Sequence, residues 1–379
     1  MASSDPSSSA PPGGDLRRQI DELNARAWTE HFAHPRPALE LAREAAKLAA
    51  LQDYLPGLAA SIRTRGVCLF MLSEFNEAAG DLQTACTLFR SIGDRAGEAT
   101  MLRWLGHDKA RTGDYGAALR LHTHALVIYR EIGDRSGEAD TLLAIGLNHH
   151  QIGDYAEALR YSQAALTIYE ELQETRGVGL CLNNLGNAHS MLGEHDQALD
   201  HYRRSLKLLR QAGFTNFGSL LNNIGSTYRA LGLPQPALEY FSRARAEFQG
   251  AGDRRGEIAA LNNVAEVTHM LGRHAEALEL FETALAASRE LGTRYEEAAI
   301  LLHLGEALAA QGDGAGAVRR LEEAVRVGGE VGARQLALQA NRALARIHEA
   351  AGDIAEAFRC YKAYRELESE IFGQEADQR

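Results

Sequence analysis

Apolar residues recur at three- and four-residue spacing through most of this chain, and glycine interrupts the pattern at regular places. Leu182, Leu185, His189 and Leu192 form one stripe of a helix, because positions three and four apart share a face. Gly193 then stops that helix, since glycine adopts the left-handed terminating conformation without a Cβ penalty. A second helix is expected from about Asp196, carrying Ala198, Leu199, Tyr202, Leu206 and Leu209. The two-helix unit repeats. Its turn glycines are Gly113, Gly153, Gly193, Gly232, Gly272, Gly312 and Gly352, stepping by 40 residues with a single step of 39. Seven positions before each stands a small residue (Gly106, Gly146, Gly186, Gly225, Ala265, Gly305, Ala345), and five after each stands an alanine, from Ala118 to Ala357. Small side chains at fixed places mark where two helices cross too closely for larger ones.

The joints between units carry Gly93-Asp94, Gly133-Asp134 and Gly252-Asp253. Glycine ends one helix and aspartate caps the next, a cap being worth about 1 kcal/mol. Glu98, Glu138 and Glu257 add negative charge to the first turn, where the helix dipole favours it. Asp154 with Glu157, and Asp353 with Glu356, have capping-box spacing. The pattern reaches back through Gly66, Ser73 and Ala78 to Ala38. A repeat of this kind grows without a single central core, so 379 residues do not imply separate globular domains. The expected organisation is a disordered Ser/Pro/Gly-rich tail at 1–14, a degenerate capping repeat at 15–55 entered through His34-Pro35-Arg36-Pro37, an array at 56–352, and a C-terminal capping helix at 353–379. Asp313-Gly314-Ala315-Gly316 reads as a loosened turn.

The order Leu-x-x-Leu-Gly, then an aromatic or His, Gly-Asp-Tyr and Ala-Leu resembles the tetratricopeptide repeat family. The 40-residue period with GDRxGEA joints is similar to its long-helix branch, as in kinesin light chains, spindle-orientation adaptors and bacterial peptide-sensing proteins. The resemblance implies an all-α, right-handed superhelical solenoid of eight to nine helix-turn-helix units. The tail AYRELESEIFGQEADQR resembles the junction after which bacterial repeat-containing sensors continue into a catalytic output domain. Tyr361, Tyr364, Leu367 and Ile371 lie along one face of this last helix, which reads either as a capping helix with a frayed tip or, on that resemblance, as one that continues into a coiled coil or another domain.

Composition narrows the function. A net charge of −11 argues against nucleic acid, which calls for a basic stripe. No run approaches the roughly 20 apolar residues of a membrane span, and the N-terminus lacks the basic start and apolar core of a secretory signal. Cys68, Cys86, Cys181 and Cys360 lie far apart and read as small hydrophobes in a reducing, cytoplasmic compartment. Gly312-x-Gly314-x-Gly316 falls on a turn between helices, not after a strand, so it is no phosphate loop. His149-His150 and His122-x-His124 lack the spacing that puts two metal ligands on one helix face. No nucleophile motif is present, so neither an enzyme nor a cofactor is expected.

The stronger signal is polar and repeats. In each first helix, the two residues before Leu-Gly and the one after are not needed by the apolar stripe, and should face the concave groove. These positions hold Arg63 and Thr64, then Arg103, Trp104 and His107, then Leu143, Ala144 and Leu147, then Asn183, Asn184 and Asn187. They continue with Asn222 and Asn223, with Asn262, Asn263 and Glu266, and with His303 and Glu306. One turn further stand Arg111, His150, Arg229 and His269. Asparagine is a mediocre helix former, by roughly 0.5 kcal/mol against alanine, and its amide offers both donor and acceptor to an extended backbone. In the resembling family, asparagines at these positions hold a peptide. That resemblance makes the Asn pairs backbone clamps, with Arg63, Arg103 and Arg111 meeting an acidic group and Glu266 and Glu306 a basic one, so that the groove is basic toward its N-terminal repeats. The alternative is that the second Asn of each pair links neighbouring repeats by hydrogen bonds. Two functions follow: a protein-protein interaction scaffold taking a peptide or protein segment, or a regulatory input module that forms a homodimer through its C-terminal helix and controls an output domain outside this chain.

Overall fold

The computed structural model describes residues 12–378, and side chains for residues 15–370. The described residues form eighteen helices and no strand. They divide into two compact units, one up to Gly177 and one from Val178. The first holds α1 (Pro12–Glu30), α2 (Pro35–Leu51), α3 (Leu55–Met71), α4 (Phe75–Ser91), α5 (Arg95–Arg111), α6 (Tyr115–Ile132), α7 (Arg135–Gln151) and α8 (Tyr155–Glu171). The division falls in the first turn of α9 (Thr175–Met191). The second unit continues with α10 (His195–Gln211), α11 (Gly218–Ala230), α12 (Pro234–Gly250), α13 (Arg254–Met270), α14 (His274–Leu291), α15 (Arg294–Ala310), α16 (Gly314–Glu330), α17 (Arg334–Ala350) and α18 (Ile354–Gln378). α1 begins at Pro12, inside the segment expected as a tail; residues 1–11 lie outside those described. So do the side chain of Ile371 and residue 379. No helix of the described residues is long and apolar enough to cross a membrane.

The turn chemistry is local and repeats. Asp94 accepts from Gly97 N at 2.8 Å, Asp134 from Gly137 N at 2.9 Å and Asp253 from Gly256 N at 2.9 Å. The turn at Asp313 is capped in the same way, at 2.8 Å from Gly316 N, and so is no looser than its sisters. Asp154 caps Glu157 N at 3.3 Å, but the Glu157 carboxylate bonds Arg160 instead of turning back, so only half of that capping box forms. The turn glycines, Gly193 among them at φ +77°, take the left-handed conformation.

Two interlocks set how the helices stack. Within a pair, a glycine of the first helix faces a large side chain of the second. A Cβ at Gly186 would lie 2.5 Å from the Tyr202 ring, at Gly225 2.8 Å from Phe241, and at Gly305 2.6 Å from Leu321. Between pairs, an aromatic ring of the second helix lies against the glycine three residues past the capping aspartate: Phe89 on Gly97, Tyr129 on Gly137, Phe248 on Gly256. Beside the second interlock sits a clasp of charge. Glu98, only 3 % exposed, is held by Arg90 at 2.7 Å and Arg95 at 2.9 Å. Glu138 is held by Arg130 at 2.8 Å and Arg135 at 2.6 Å, and Glu297 by Arg289 at 2.8 Å and Arg294 at 2.5 Å. Burial pushes the Glu98 carboxyl up, but the two guanidiniums outweigh it and hold it below the usual range.

Apolar residues fill the remainder. Leu82, Phe89, Met101, Leu102 and Ile128 share a core in the first unit; Phe281, Leu285, Leu301, Leu304 and Leu344 share one in the second. Each such side chain contributes about 1.5–3 kcal/mol when fully buried. First helices of neighbouring pairs also pack on one another, as α3 on α5 and α13 on α15, whereas second helices do not do so to that extent. Within each unit the first helices therefore line the inner side.

Two glycines of the first unit test the interlock. Gly80, inside α4, has nothing within 4 Å of a Cβ position, while a Cβ at Gly137 would overlap the Tyr129 ring. Gly80→Ala should raise stability by up to about 1 kcal/mol through helix propensity. Gly137→Ala should lower it by roughly 1–3 kcal/mol, because overpacking exceeds that gain. Urea midpoints followed by circular dichroism decide; a Gly137→Ala protein as stable as Gly80→Ala would contradict the interlock.

Candidate functional site

A cavity of about 800 Å³ opens on the inner side of the second unit, with α11, α13, α15 and α17 as its walls. The interlocks turn one stripe of each first helix toward its partner and leave the next stripe facing inward, and that stripe builds the cavity. Asn262, 7 % exposed, meets His303 Nδ1 through its side-chain amide, with Nδ2 at 3.1 Å and Oδ1 at 3.2 Å, joining α13 to α15. Beside it Asn263 donates to the Asn222 carbonyl oxygen of α11 at 2.8 Å. Arg229 is ion-paired with Glu266. Glu306 is open to solvent yet walled in by its neighbours; that burial, with Glu266 nearby, holds its carboxyl above the usual range against the opposing pull of Arg346 and Arg342. Tyr295, Ile300 and Ile347 supply apolar surface.

The structure thus brings Asn262, Asn263, Arg229, Glu266, His303 and Glu306 to one place. Asn183, Asn184, Asn187 and Asn223 lie outside it. Asn223 donates to Asn187 at 3.0 Å and to Asn183 at 3.4 Å; Asn187 also accepts from Tyr202 at 2.7 Å, and Asn183 donates to Asn184 at 3.5 Å. Hydrogen bonds between repeats therefore occupy part of the ladder, and at Asn262 they involve the first residue of a pair as well as the second. An acidic C-terminal end does not describe the cavity, because Arg342 and Arg346 of α17 line it too. Among the described ion pairs neither arginine has a partner. Sequence reasoning missed them although they were findable. Arg342 stands three before the small residue Ala345, the register of Asn183, Asn222 and Asn262. Arg346 stands one after it, the register of Asn187, Glu266 and Glu306.

Chemically, the cavity presents amides with unused capacity. Asn263, in the lining, donates one bond and keeps its carbonyl; its partner Asn222, behind the lining, accepts that bond and keeps its NH₂. Charges of both signs flank them. No group of three or more His, Cys, Asp or Glu among the described residues could hold a metal.

The corresponding residues of the first unit are largely engaged. Arg103 pairs with Asp140 at 2.9 Å, and Arg111 pairs with Asp108 at 3.1 Å while lying over Phe75 at 3.7 Å. Trp104 meets Phe70 and His107 edge-on, at 5.4 and 5.6 Å between centroids, and His107 meets His122 at 5.1 Å. Asn148 donates to His122 Nδ1 at 2.9 Å, so the ring proton sits on Nε2, which donates to the Arg103 carbonyl at 3.1 Å. Arg63 differs and lies over the Trp28 ring at 3.9 Å.

Burial pushes the His122 imidazole down to about 4 and His107 to about 3. Both rings are neutral in the fold, while the unfolded chain takes up protons below its ordinary value near 6.5. Their contribution to stability is complete above about pH 6.5 and is lost as pH falls toward 4. A His122→Gln protein should therefore lose about 2 kcal/mol less than wild type between pH 7 and pH 5, from 1.36 kcal/mol per unit over the interval below 6.5. Parallel urea titrations at the two pH values measure the difference; equal losses would show that His122 does not resist protonation.

The tetratricopeptide repeat model matches residues 97–171, 149–211 and 217–290, and a second model of the same description matches 298–331, together more than half of the chain. No curated protein matches in sequence. Among solved structures the chain is similar to a Rap protein complexed with competence and sporulation factor, at 18 % identity and TM-score 0.67, covering 97 % of this chain and all of that one. It is similar to the apo quorum sensor NprR of B. thuringiensis, at 16 % identity and TM-score 0.70, covering 94 % and 99 %. A third is the Rap conjugation gene regulator of plasmid pLS20 in complex with the Phr* peptide, at 15 % identity and TM-score 0.58, covering 95 % and 98 %. Repeat spacing, helix pairing and these matches agree, and the chain belongs to the tetratricopeptide repeat family.

Proposed function

We propose that the chain is a peptide-binding module that works by recognition and not by catalysis, and that the second-unit cavity seats an extended peptide or protein segment. The observation that carries this is the recess of about 800 Å³ in which partly used Asn amides stand beside apolar surface and charges of both signs. An extended backbone brings bare N–H and C=O groups, and a carboxamide answers both. Tyr295, Ile300 and Ile347 give one or two ligand side chains a place to lose water. Two of the similar structures hold a peptide or factor, according to their descriptions; at their identities that supports the reading through the fold alone. Three buried free cysteines fit a reducing cytoplasm as its place of work.

A second reading, a regulatory input module that pairs through its last helix, draws on one observation. Ile354, Phe358 and Tyr361, spaced four and three apart on α18, are all exposed. Under this reading Phe358→Ser makes a dimeric wild type monomeric by light scattering; a monomeric wild type removes it.

The peptide reading is tested with a random nonapeptide library, selected on the full chain and read by mass spectrometry. The variant is Asn222→Ala/Asn263→Ala, which removes both partners of one hydrogen bond and leaves no orphaned amide. Wild type should enrich a definable set of sequences, and the double variant should bind them at least tenfold more weakly. Equal retention by both proteins would move the binding surface off these amides.

A further inference from the structure

The outer side of the second unit carries a row of cations that the fold leaves largely unpaired. In the C-terminal half of α10, Arg203, Arg204, Lys207 and Arg210 are all exposed. The same places of α14 hold Glu282, Thr283, Ala286 and Arg289, and no other second helix of the described residues puts more than two cations there. Arg204 has Asp200 at 3.8 Å, and Arg203 donates to the Tyr228 hydroxyl. Among the described ion pairs Lys207 and Arg210 have no carboxylate. Arg210 stands in the register of the clasp arginines Arg90, Arg130 and Arg289, each of which reaches a glutamate eight residues on, at Glu98, Glu138 and Glu297. The single 39-residue step puts Phe217 and Gly218 at that place instead. The Arg210 guanidinium lies over the Phe217 ring at 5.3 Å.

Residues three and four apart are neighbours on a helix, so these like charges repel along one stripe and weaken α10. The helix dipole favours a cation in the last turn, which accounts for Arg210 and not for the ones before it. The stripe from Arg203 to Arg210 is roughly 10 Å long, at 1.5 Å per residue. It is also one helix wide: at the same places the next second helix, α12, offers only Arg243, and Glu239 lies 3.9 Å from that. Nucleic acid and anionic membranes draw on cations spread over a broader face. A short row with one turn between charges matches a helix whose carboxylates are also a turn apart. Phe214, 39 % exposed, stands just past the end of the row and gives such a helix apolar contact. We propose that the outer stripe of α10 docks an acidic helix of a partner protein, with carboxylates three and four residues apart meeting Arg203, Lys207 and Arg210. Arg210 takes from the partner, by a two-pronged hydrogen bond, the carboxylate that its sister arginines find within the chain. The surface lies on an outer helix and does not depend on how the inward cavity is used.

The probe is a fluorescein-labelled alanine-leucine helix with glutamates three and four residues apart and a phenylalanine one turn beyond; its counterpart carries glutamine in their place. Anisotropy on the full chain is read at low salt, where exposed charges are least screened. The glutamate peptide should bind saturably and release as salt is raised, and the glutamine peptide should bind at least tenfold more weakly. Arg203→Gln/Lys207→Gln/Arg210→Gln should weaken binding of the glutamate peptide at least tenfold, whereas Asn222→Ala/Asn263→Ala, at the cavity, should leave it unchanged. If the triple variant does not fold by circular dichroism, Lys207→Gln alone decides, with an expected loss of at least twofold. No binding of the glutamate peptide, equal binding of the glutamine peptide, unchanged affinity in the α10 variant that folds, or loss of binding in the cavity variant would overturn the proposal. So would tighter binding of single-stranded DNA or of phosphatidylserine vesicles.

Discussion

The stack depends on the absence of a Cβ at a few positions. At Gly186, Gly225 and Gly305 a second helix brings a ring or a leucine where a methyl would otherwise stand, and at Gly97, Gly137 and Gly256 the preceding helix does the same. Glycine in a helix costs roughly 1 kcal/mol against alanine. Here that loss is offset by burial of Tyr202, Phe241, Tyr129 and Phe248, each worth more. The same contacts fix helix rotation. Once Tyr202 sits against Gly186, the residues one and three positions from that glycine turn inward, and the inner surface follows from the packing.

Much of this was legible in the sequence. The 40-residue step, the small residues and the GDR joints placed helices to within a residue: α10 was expected from about Asp196 and begins at His195. The tighter facts were not. GDRxGE reads as a cap, and it is one, but its glycine also receives an aromatic ring and its glutamate is clasped by two arginines. The ring and one arginine lie 8 residues back on the preceding helix, where no local spacing rule names them, while the other arginine stands three residues away on the same helix. The inward register was readable as far as Glu306; carried one repeat further it names Arg342 and Arg346.

Whether an inward side chain is free for a ligand depends on its neighbours' rotamers, which the sequence does not specify. Asn223 and Asn263 turn to the preceding repeat, Arg103 finds Asp140, and Arg229 finds Glu266. Asn222 with Asn263 keeps half its hydrogen-bonding capacity, and Arg63, Arg342 and Arg346 keep charge without an ion partner among the described residues.

The central claim is that the second-unit cavity is where a peptide lies. Photo-crosslinking tests it most directly: a selected peptide carrying a diazirine residue is bound, irradiated, and the adduct mapped by mass spectrometry. The account predicts adducts on the inward residues of α13, α15 and α17, around Tyr295, Ile300 and Arg342. Adducts confined to the second helices, or to the exposed face of α18, would contradict it.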